Sequence, residues 1–300
     1  MVVRAGFARR TILKGALAAP FVVSAKRMKA KEAPSRVVSM ELLLTELLLT
    51  LGVEPLAVAN VPLYRRLVAE PALSDGVADL GPLQEPNTEY LQLLKPDLIV
   101  MAEWQANGLE NLKRIAPVAT LNSFAGKIPA VLHAQNLLRE MAGFVGREEE
   151  AEGWIARCEV VLADAGARLH EKSPLRPLYL CRFNQDGRHA AIFGGNGLVG
   201  DVLARLGLQN AWEGRVNASG VASIGIEQLA GNPEARIVHF DRGRETGLAM
   251  ERLAESPLWN ALPAVRKGRI TSMPVIYPSG GVRSAMRLAA HLADLLPAKG

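Results

Sequence analysis

The sequence contains few cysteines, and they form no recognisable motif. Only Cys158 and Cys181 occur in the 300 residues, which excludes a disulfide-rich scaffold. Their separation does not match the paired spacing of zinc sites. Cys158 falls in a helical pattern and Cys181 in an apolar strand pattern, so the sequence predicts two separate buried thiols.

Long apolar runs and a strong net charge are both absent from the body of the chain. The most leucine-rich segment, 42–51, is interrupted by Thr45 and Glu46, so no membrane-spanning helix is predicted. The net charge is +5, but four of the cations and no acid lie in the first 25 residues, which leaves +1 for the rest. A chain so close to neutral is not expected to bind nucleic acid.

The N-terminus has the features of an export signal. Arg9 and Arg10 precede an apolar stretch of 11 residues, 15–25, which is too short to cross a bilayer. We interpret residues 1–30 as a twin-arginine signal, with Ala25 and Ala30 as alternative cleavage sites. A basic amphipathic helix is the other interpretation.

After the signal, short apolar strand patterns alternate with helical runs, and each change occurs at Pro, Gly or Asn. This alternation predicts βα units and mostly parallel sheets. The predicted strands are 36–38, 56–59, 97–101 and 118–121 in the first half, and 177–181, 190–193, 235–240 and 269–273 in the second.

Strand patterns disappear between residues 128 and 173, where apolar residues keep helical spacing. The run 148–169 opens with three glutamates, which favour a helix N-terminus, and it would be ~33 Å long. We therefore predict two α/β lobes joined by a long rigid connecting helix. The predicted organisation is a signal region at 1–30, an N-terminal lobe at 31–127, connecting helices at 128–173 and a C-terminal lobe at 174–300.

Ordered motifs run through nearly the whole chain after the signal. LGPLQEPNTE and KPDLIV occur in the first half, and FGGNG, NAWEG, PLW and SAM follow in the second. In this order they resemble the periplasmic binding proteins that deliver iron–siderophore complexes and vitamin B12 to ABC importers, the hydroxamate (ferrichrome-type) binders above all. The resemblance implies a helical-backbone fold that holds its ligand non-covalently in a cleft between lobes.

The resemblance also places the ligand contacts on loops at strand ends. This chain departs from the hydroxamate binders at two first-lobe positions, where Leu83 and Gln105 replace an arginine and a tyrosine. Either Arg182 or Arg188, with Asn184 beside it, is expected to supply the missing charge, because a guanidinium donates two bonds to adjacent oxygens. Trp104 stands next to the tyrosine position, and the other contact positions that the resemblance gives are Leu67, Met101, Trp212, Ser219, Tyr277 and Ser279.

A partner is implied as well. Glu89 and Glu227 each begin a short helix that leads to a proline turn and a strand, and they stand where the family contacts arginines of a dimeric permease. Two acidic side chains on one face suit a basic, dimeric partner. The protein itself is expected to be a monomer.

The expected ligand is a ferric siderophore with little net charge, because the loops offer few cations to balance several buried negative charges. The five histidines are scattered along the sequence, so we expect no metal ligated directly by the protein. Iron would enter only inside a chelate, and no cofactor is predicted.

Two alternatives remain. One is a corrinoid or haem binder on the same fold. The other is a nucleotide-dependent α/β enzyme that uses the GxGxxG pattern of Gly195, Gly197 and Gly200. No acidic residue ends a strand about 20 residues further on, as dinucleotide sites require, and the G-x-S-x-G nucleophile motif is absent. We therefore predict a binding protein and not an enzyme.

Overall fold

Two five-stranded sheets, each covered by helices, organise the part of the chain that the computed structural model describes, residues 33–172 and 174–296. The predicted signal, 1–30, lies outside the described residues. From Ala33 onward the chain forms one compact unit. No helix among the described residues is long and apolar enough to cross a membrane.

The first sheet is parallel throughout, with strand order β3-β2-β1-β4-β5. Strand β4, Leu-Ile-Val-Met-Ala, is buried along its whole length, as expected for a strand covered on both faces. The first sheet and its connecting helices comprise β1 Val37–Ser39, α1 Leu42–Thr50, β2 Ala57–Val58, α2 Val61–Leu67, β3 Ala78–Asp79, α3 Thr88–Leu94, β4 Leu98–Ala102 and β5 Val118–Leu121. Two 3₁₀ turns, Glu103–Gln105 and Glu110–Arg114, follow β4.

A layer of helices lies between the two sheets. Helix α4, Ala130–Val145, and helix α5, Glu148–Glu171, follow the first sheet. The 24 residues of α5 give a length of ~36 Å, and α5 packs along the last helix, α10, Val282–Leu295. One apolar core joins these three helices to both sheets. The long connecting helix predicted from the sequence is confirmed.

The second sheet is mixed, with strand order β10-β9-β6-β7-β8. Its elements are β6 Leu178–Phe183, β7 His189–Phe193, α6 Leu198–Arg205, β8 Val221–Gly225, β9 Arg236–Asp241, α7 Arg244–Ala254, α8 Pro257–Ala261, α9 Pro263–Arg266 and β10 Ile270–Pro274. Strand β7 runs antiparallel to both of its neighbours. A tight turn at 184–188 makes this hairpin possible.

The predicted fold class is confirmed, with particular differences. Strands β3 and β8 were not predicted, and residues 226–230 form a 3₁₀ turn rather than an α-helix. Cys158 and Cys181 are both buried and free, as predicted. Burial raises the pKa of the Cys158 thiol to about 12, so it is a protonated, inert packing group at neutral pH.

Candidate functional site

The candidate site lies where the first sheet reverses its strand order, between β1 and β4. Open α/β sheets bind ligands beyond the carboxyl ends of their strands at such a point. The chain leaves β1 through Met40 and Glu41, and leaves β4 through the 3₁₀ turn that holds Trp104 and Gln105. Two of the residues predicted from the sequence therefore stand at the switch point.

Gln105 is buried, and its carboxamide is fully engaged with the backbone. Oε1 accepts a hydrogen bond from the Ala102 amide at 3.0 Å. Nε2 donates to the Met40 carbonyl at 2.8 Å and to the Leu83 carbonyl at 2.9 Å. The side chain thus ties together the ends of β1 and β4 and the loop that carries Leu83, and both of its donor hydrogens are used within the protein.

Three predicted positions form one apolar wall. Leu67, Leu83 and Tyr277 pack against the same buried cluster, which includes Val61 and Tyr64. Tyr277 also packs against the central core, so it connects the two halves of the chain. Burial raises the pKa of the Tyr277 phenol, which keeps it neutral. The wall therefore offers an apolar face with one neutral hydroxyl.

Behind this wall, Glu46 joins α1 to the start of α10. Its Oε1 accepts from the amides of Gly281 and Ser284, both at 3.0 Å, and its Oε2 accepts from Ser284 Oγ at 2.7 Å. Burial raises the pKa of Glu46 despite these bonds. This link was not predicted, although a glutamate inside a leucine-rich helix is a signal that could have found it.

A second buried carboxylate, Glu41, caps α1. Its side chain accepts from the amides of Leu43 at 2.6 Å and Leu44 at 3.2 Å. Burial is the largest effect on this group and raises its pKa to about 7, with the neighbouring Glu46 acting in the same direction. The first sheet's side of the site therefore holds two acids, and both have hydrogen-bond partners.

The structure separates the two arginines that were predicted as alternatives. Arg182, near the end of β6, is half-buried and close enough to Tyr277 to interact with it electrostatically. Arg188 is exposed and lines an outer groove together with Glu227 and Leu258. Asn184 lies in the β6–β7 turn, where its amide donates to the His189 carbonyl. Of the two arginines, only Arg182 shares the surroundings of Tyr277.

Ser219 and Ser279 both lie at a different part of the site. Both line an open cavity, together with Phe124, His133 and Asn196. Burial lowers the pKa of His133, and its Nε2 lies 2.9 Å from the Asn122 carbonyl oxygen. The cavity is thus lined by small polar and apolar groups without a fixed charge.

The two predicted tryptophans have different surroundings. Trp104 is 40% exposed beside the switch point. Trp212 packs against the outer core of the second sheet, with Gly214 fitted closely against its indole ring. The Nε1 atom of Trp212 is buried without a hydrogen-bond acceptor in the described chain, and its role as a ligand contact stays a prediction.

The GxGxxG segment serves close backbone packing. A Cβ at Gly200 would overlap the carbonyl oxygen of Gly195, and one at Gly197 would overlap the backbone of Gly220. The glycines are therefore needed so that this turn can pack against the 217–220 loop. In a dinucleotide site, the backbone comes close to a pyrophosphate instead.

The two glutamates predicted to meet a permease are both exposed. Glu89 lies in the first turn of α3, and Glu227 lies in the 3₁₀ turn after β8. Their docking role stays a prediction. Within the described chain, no group of three or more His, Cys, Asp and Glu side chains is placed to hold a metal ion.

Comparison with known proteins gives consistent results over most of the chain. The sequence model of the family described as periplasmic binding protein matches residues 37–277. The chain is 35% identical over 266 residues to the iron(3+)-hydroxamate-binding protein FhuD of Escherichia coli (strain K12), which covers 89% of this chain and 88% of that protein. It is 26% identical over 244 residues to the Fe(3+)-citrate-binding protein YfmC of Bacillus subtilis (strain 168), covering 79% of this chain and 72% of YfmC.

Among solved structures, the siderophore-binding protein FhuD of Vibrio cholerae with Fe3+–Desferal bound superposes with a TM-score of 0.80. It is 27% identical, and the match covers 87% of this chain and 97% of that one.

Proposed function

Since the chain belongs to the periplasmic binding protein family, we propose that it captures a ferric hydroxamate siderophore between its two sheets and delivers it to an ABC importer. The similarity to E. coli FhuD carries this proposal, because it extends over both sheets and the loops between them. Two relatives with matches across both sheets have names that state a ferric chelate as ligand.

In this proposal the chelate lies against the wall of Leu67, Leu83 and Tyr277, with Trp104 at the edge. Arg182 takes the place of the missing first-lobe cation, because it shares the surroundings of Tyr277 while Arg188 does not. Ser219 and Ser279 bound the far end of the chelate. Gln105 acts indirectly, by holding the Leu83 loop.

The protein acts by binding and release, with no catalytic residue and no resident cofactor. Iron is cargo and enters as a chelate. Residues 1–30 direct export to the periplasm by the twin-arginine route, and the mature protein acts as a monomer.

Glu89 and Glu227 then meet arginines of the permease dimer. Charge reversal at either glutamate should lower stimulation of the permease ATPase while leaving siderophore affinity unchanged.

The first test is a titration of the mature protein with ferrichrome, ferrioxamine B, ferric citrate, cobalamin and haemin, followed by intrinsic fluorescence and corrected for ligand absorbance. We expect saturable quenching by a hydroxamate chelate at micromolar concentration or below. The signal should weaken in Trp104→Phe and in Trp212→Phe, and it should persist in the control Trp154→Phe, whose indole stacks with Arg157 and Arg283. Saturation by cobalamin or haemin alone would mean that the ligand is that molecule and not a hydroxamate chelate. No response to any of the five would overturn the proposal.

A further inference from the structure

Three arginines and one glutamate converge beside the apolar wall. Arg66 Nη1 lies 3.0 Å from Glu245 Oε1, and Arg242 pairs with the other oxygen of the same carboxylate. Arg182 interacts electrostatically with both Glu245 and Arg66. Among the described residues, Glu245 is the only carboxylate whose negative charge raises the pKa of both Arg182 and Arg242. This group, here called the arginine cluster, therefore has more positive than negative charge.

Two of these cations, Arg182 and Arg242, are partly or largely removed from water, and some of their donors have no partner. The Nε atoms of Arg182 and Arg242 are buried without a hydrogen-bond acceptor in the described chain. Arg242 also donates from Nη2 to the Phe183 carbonyl at 3.3 Å, whereas the described residues provide no acceptor for the guanidinium nitrogens of Arg182. A buried charged donor without a partner is unfavourable and calls for an explanation.

Strand alternation explains why the arginines meet. Leu178 and Leu180 of β6 face the central core, so Arg182 follows on the same face near the carboxyl end of the strand. On the neighbouring parallel strand β9, Phe240 faces that core and Arg242 follows it by two positions. The carboxyl ends of adjacent parallel strands are where α/β sheets bind ligands.

The third arginine comes from the first half of the chain. Arg66 lies in the last turn of α2, directly before Leu67, which belongs to the apolar wall. Its ion pair with Glu245 on α7 therefore crosses from one half of the molecule to the other. The cluster thus adjoins the proposed ligand site and is built from both of its sides.

We propose that the arginine cluster binds a carboxylate carried by the siderophore, so that the preferred cargo is an anionic ferric hydroxamate rather than a neutral or cationic one. This inference rests on the proposed function and names the substrate class more narrowly. Arg182 is the principal donor, because its planar fork matches the two oxygens of a carboxylate and is not engaged elsewhere in the described chain. Arg66 adds charge from the opposite side, while Arg242 remains paired with Glu245.

A set of three chelates tests this with the iron centre held constant. Ferrioxamine B carries a free amine, its N-acetyl derivative removes that positive charge, and its N-succinyl derivative replaces it with a carboxylate. We expect the succinyl form to bind about tenfold or more tightly than the acetyl form, and the free amine to bind least well. Isothermal titration calorimetry at fixed salt gives the three affinities.

The variants separate this cluster from general electrostatics. Arg182→Met should reduce the preference for the succinyl form to within about twofold, and Arg66→Met, at a half-exposed position, should reduce it partly. Arg188→Met, on the outer groove, should retain it. Circular dichroism and thermal melting would verify that each variant is folded.

The outcomes distinguish this inference from the proposed function. Equal binding of all three chelates, or a preference for the free amine, would overturn the inference while leaving a hydroxamate-binding protein. A succinyl preference that survives in both Arg182→Met and Arg66→Met would also overturn it. Failure of all three chelates to bind would contradict the proposed function, and the inference would fall with it.

Discussion

The two sides of the candidate site differ in whether their polar groups already have partners. On the side of the first sheet, Gln105 makes three hydrogen bonds to backbone groups and Glu46 accepts three. On the side of the second sheet, Arg182 and Arg242 each bury an Nε atom without an acceptor. The polar groups on the side of the first sheet have hydrogen-bond partners within the protein, whereas the two arginines on the other side keep donors that are free to bind a ligand.

This difference assigns different roles to polar residues that look alike in the sequence. Satisfied buried groups fix the structure, because removing one partner leaves the other unsatisfied. Unsatisfied charged groups weaken the free protein and are compensated only when a ligand arrives. Substitutions on the first side should therefore lower stability, whereas substitutions on the second should change binding.

Glu46→Ala should have the largest effect on stability. It leaves the amides of Gly281 and Ser284 and the Ser284 hydroxyl buried without their acceptor, which costs about 3 kcal/mol or more. Urea unfolding followed by circular dichroism measures the loss. Glu46→Gln retains an acceptor for the two amides and should lose about 1 kcal/mol at most. A loss of stability as small as that of the exposed Glu89→Ala would contradict the conclusion that the polar groups on the side of the first sheet depend on their partners within the protein.

Glu41 should make stability depend on pH. Its pKa is about 7 in the folded protein, against an ordinary value of 4.5, so the folded state holds more protons than the unfolded state between those values. Stability from this group is therefore present below pH 4.5 and is lost as the pH rises through 7, by up to about 3 kcal/mol.

The matched variant is Glu41→Gln, which retains an acceptor for the amides of Leu43 and Leu44 but cannot ionise. Unfolding measured from pH 4 to pH 8 should show a smaller decline in the variant than in the parent. Identical slopes would mean that Glu41 is ionised at its ordinary pKa, and its capping role alone would remain.

Gln105→Leu should destabilise the protein by about 2 kcal/mol. The substitution leaves the Ala102 amide and the Met40 and Leu83 carbonyls without their partner. The control is Gln84→Leu at an exposed neighbouring position, where little change is expected. If Gln105→Leu abolished siderophore binding while leaving the unfolding midpoint unchanged, Gln105 would contact the ligand directly.

Much of the fold could be predicted because its signals are local. Strand β4 is a continuous apolar run and α5 opens with three glutamates, so composition alone indicates both elements. Strand β3 has only two residues, Ala78 and Asp79, and in β8 the small residues Ala222, Ser223 and Gly225 interrupt the strand preference of Val221 and Ile224. Pairing with neighbouring strands stabilises them, and a single sequence does not reveal that pairing.

The site could be predicted only in part, for a similar reason. Leu67, Leu83 and Tyr277 were assigned by resemblance, and the structure packs all three against one apolar cluster, while their contact with a ligand stays a prediction. The arginine cluster was missed because its members are far apart in sequence, with Arg66 and Glu245 separated by 179 positions. In the sequence each of these arginines stands alone, so few cations were expected at the site. The fold instead places three arginines around one carboxylate.

Arg182→Met should have the smallest effect on stability, and its sign is the most informative. In the ligand-free protein we expect no loss, or a gain of up to about 1 kcal/mol, because the change removes a buried charge that has no acceptor. Glu245 keeps its two ion pairs with Arg66 and Arg242, so the variant leaves no carboxylate unpaired. Urea unfolding without siderophore measures the effect, and Arg188→Met supplies the exposed control. A loss of about 2 kcal/mol would mean that Arg182 already has a partner within the protein, and the contrast between the two sides would disappear.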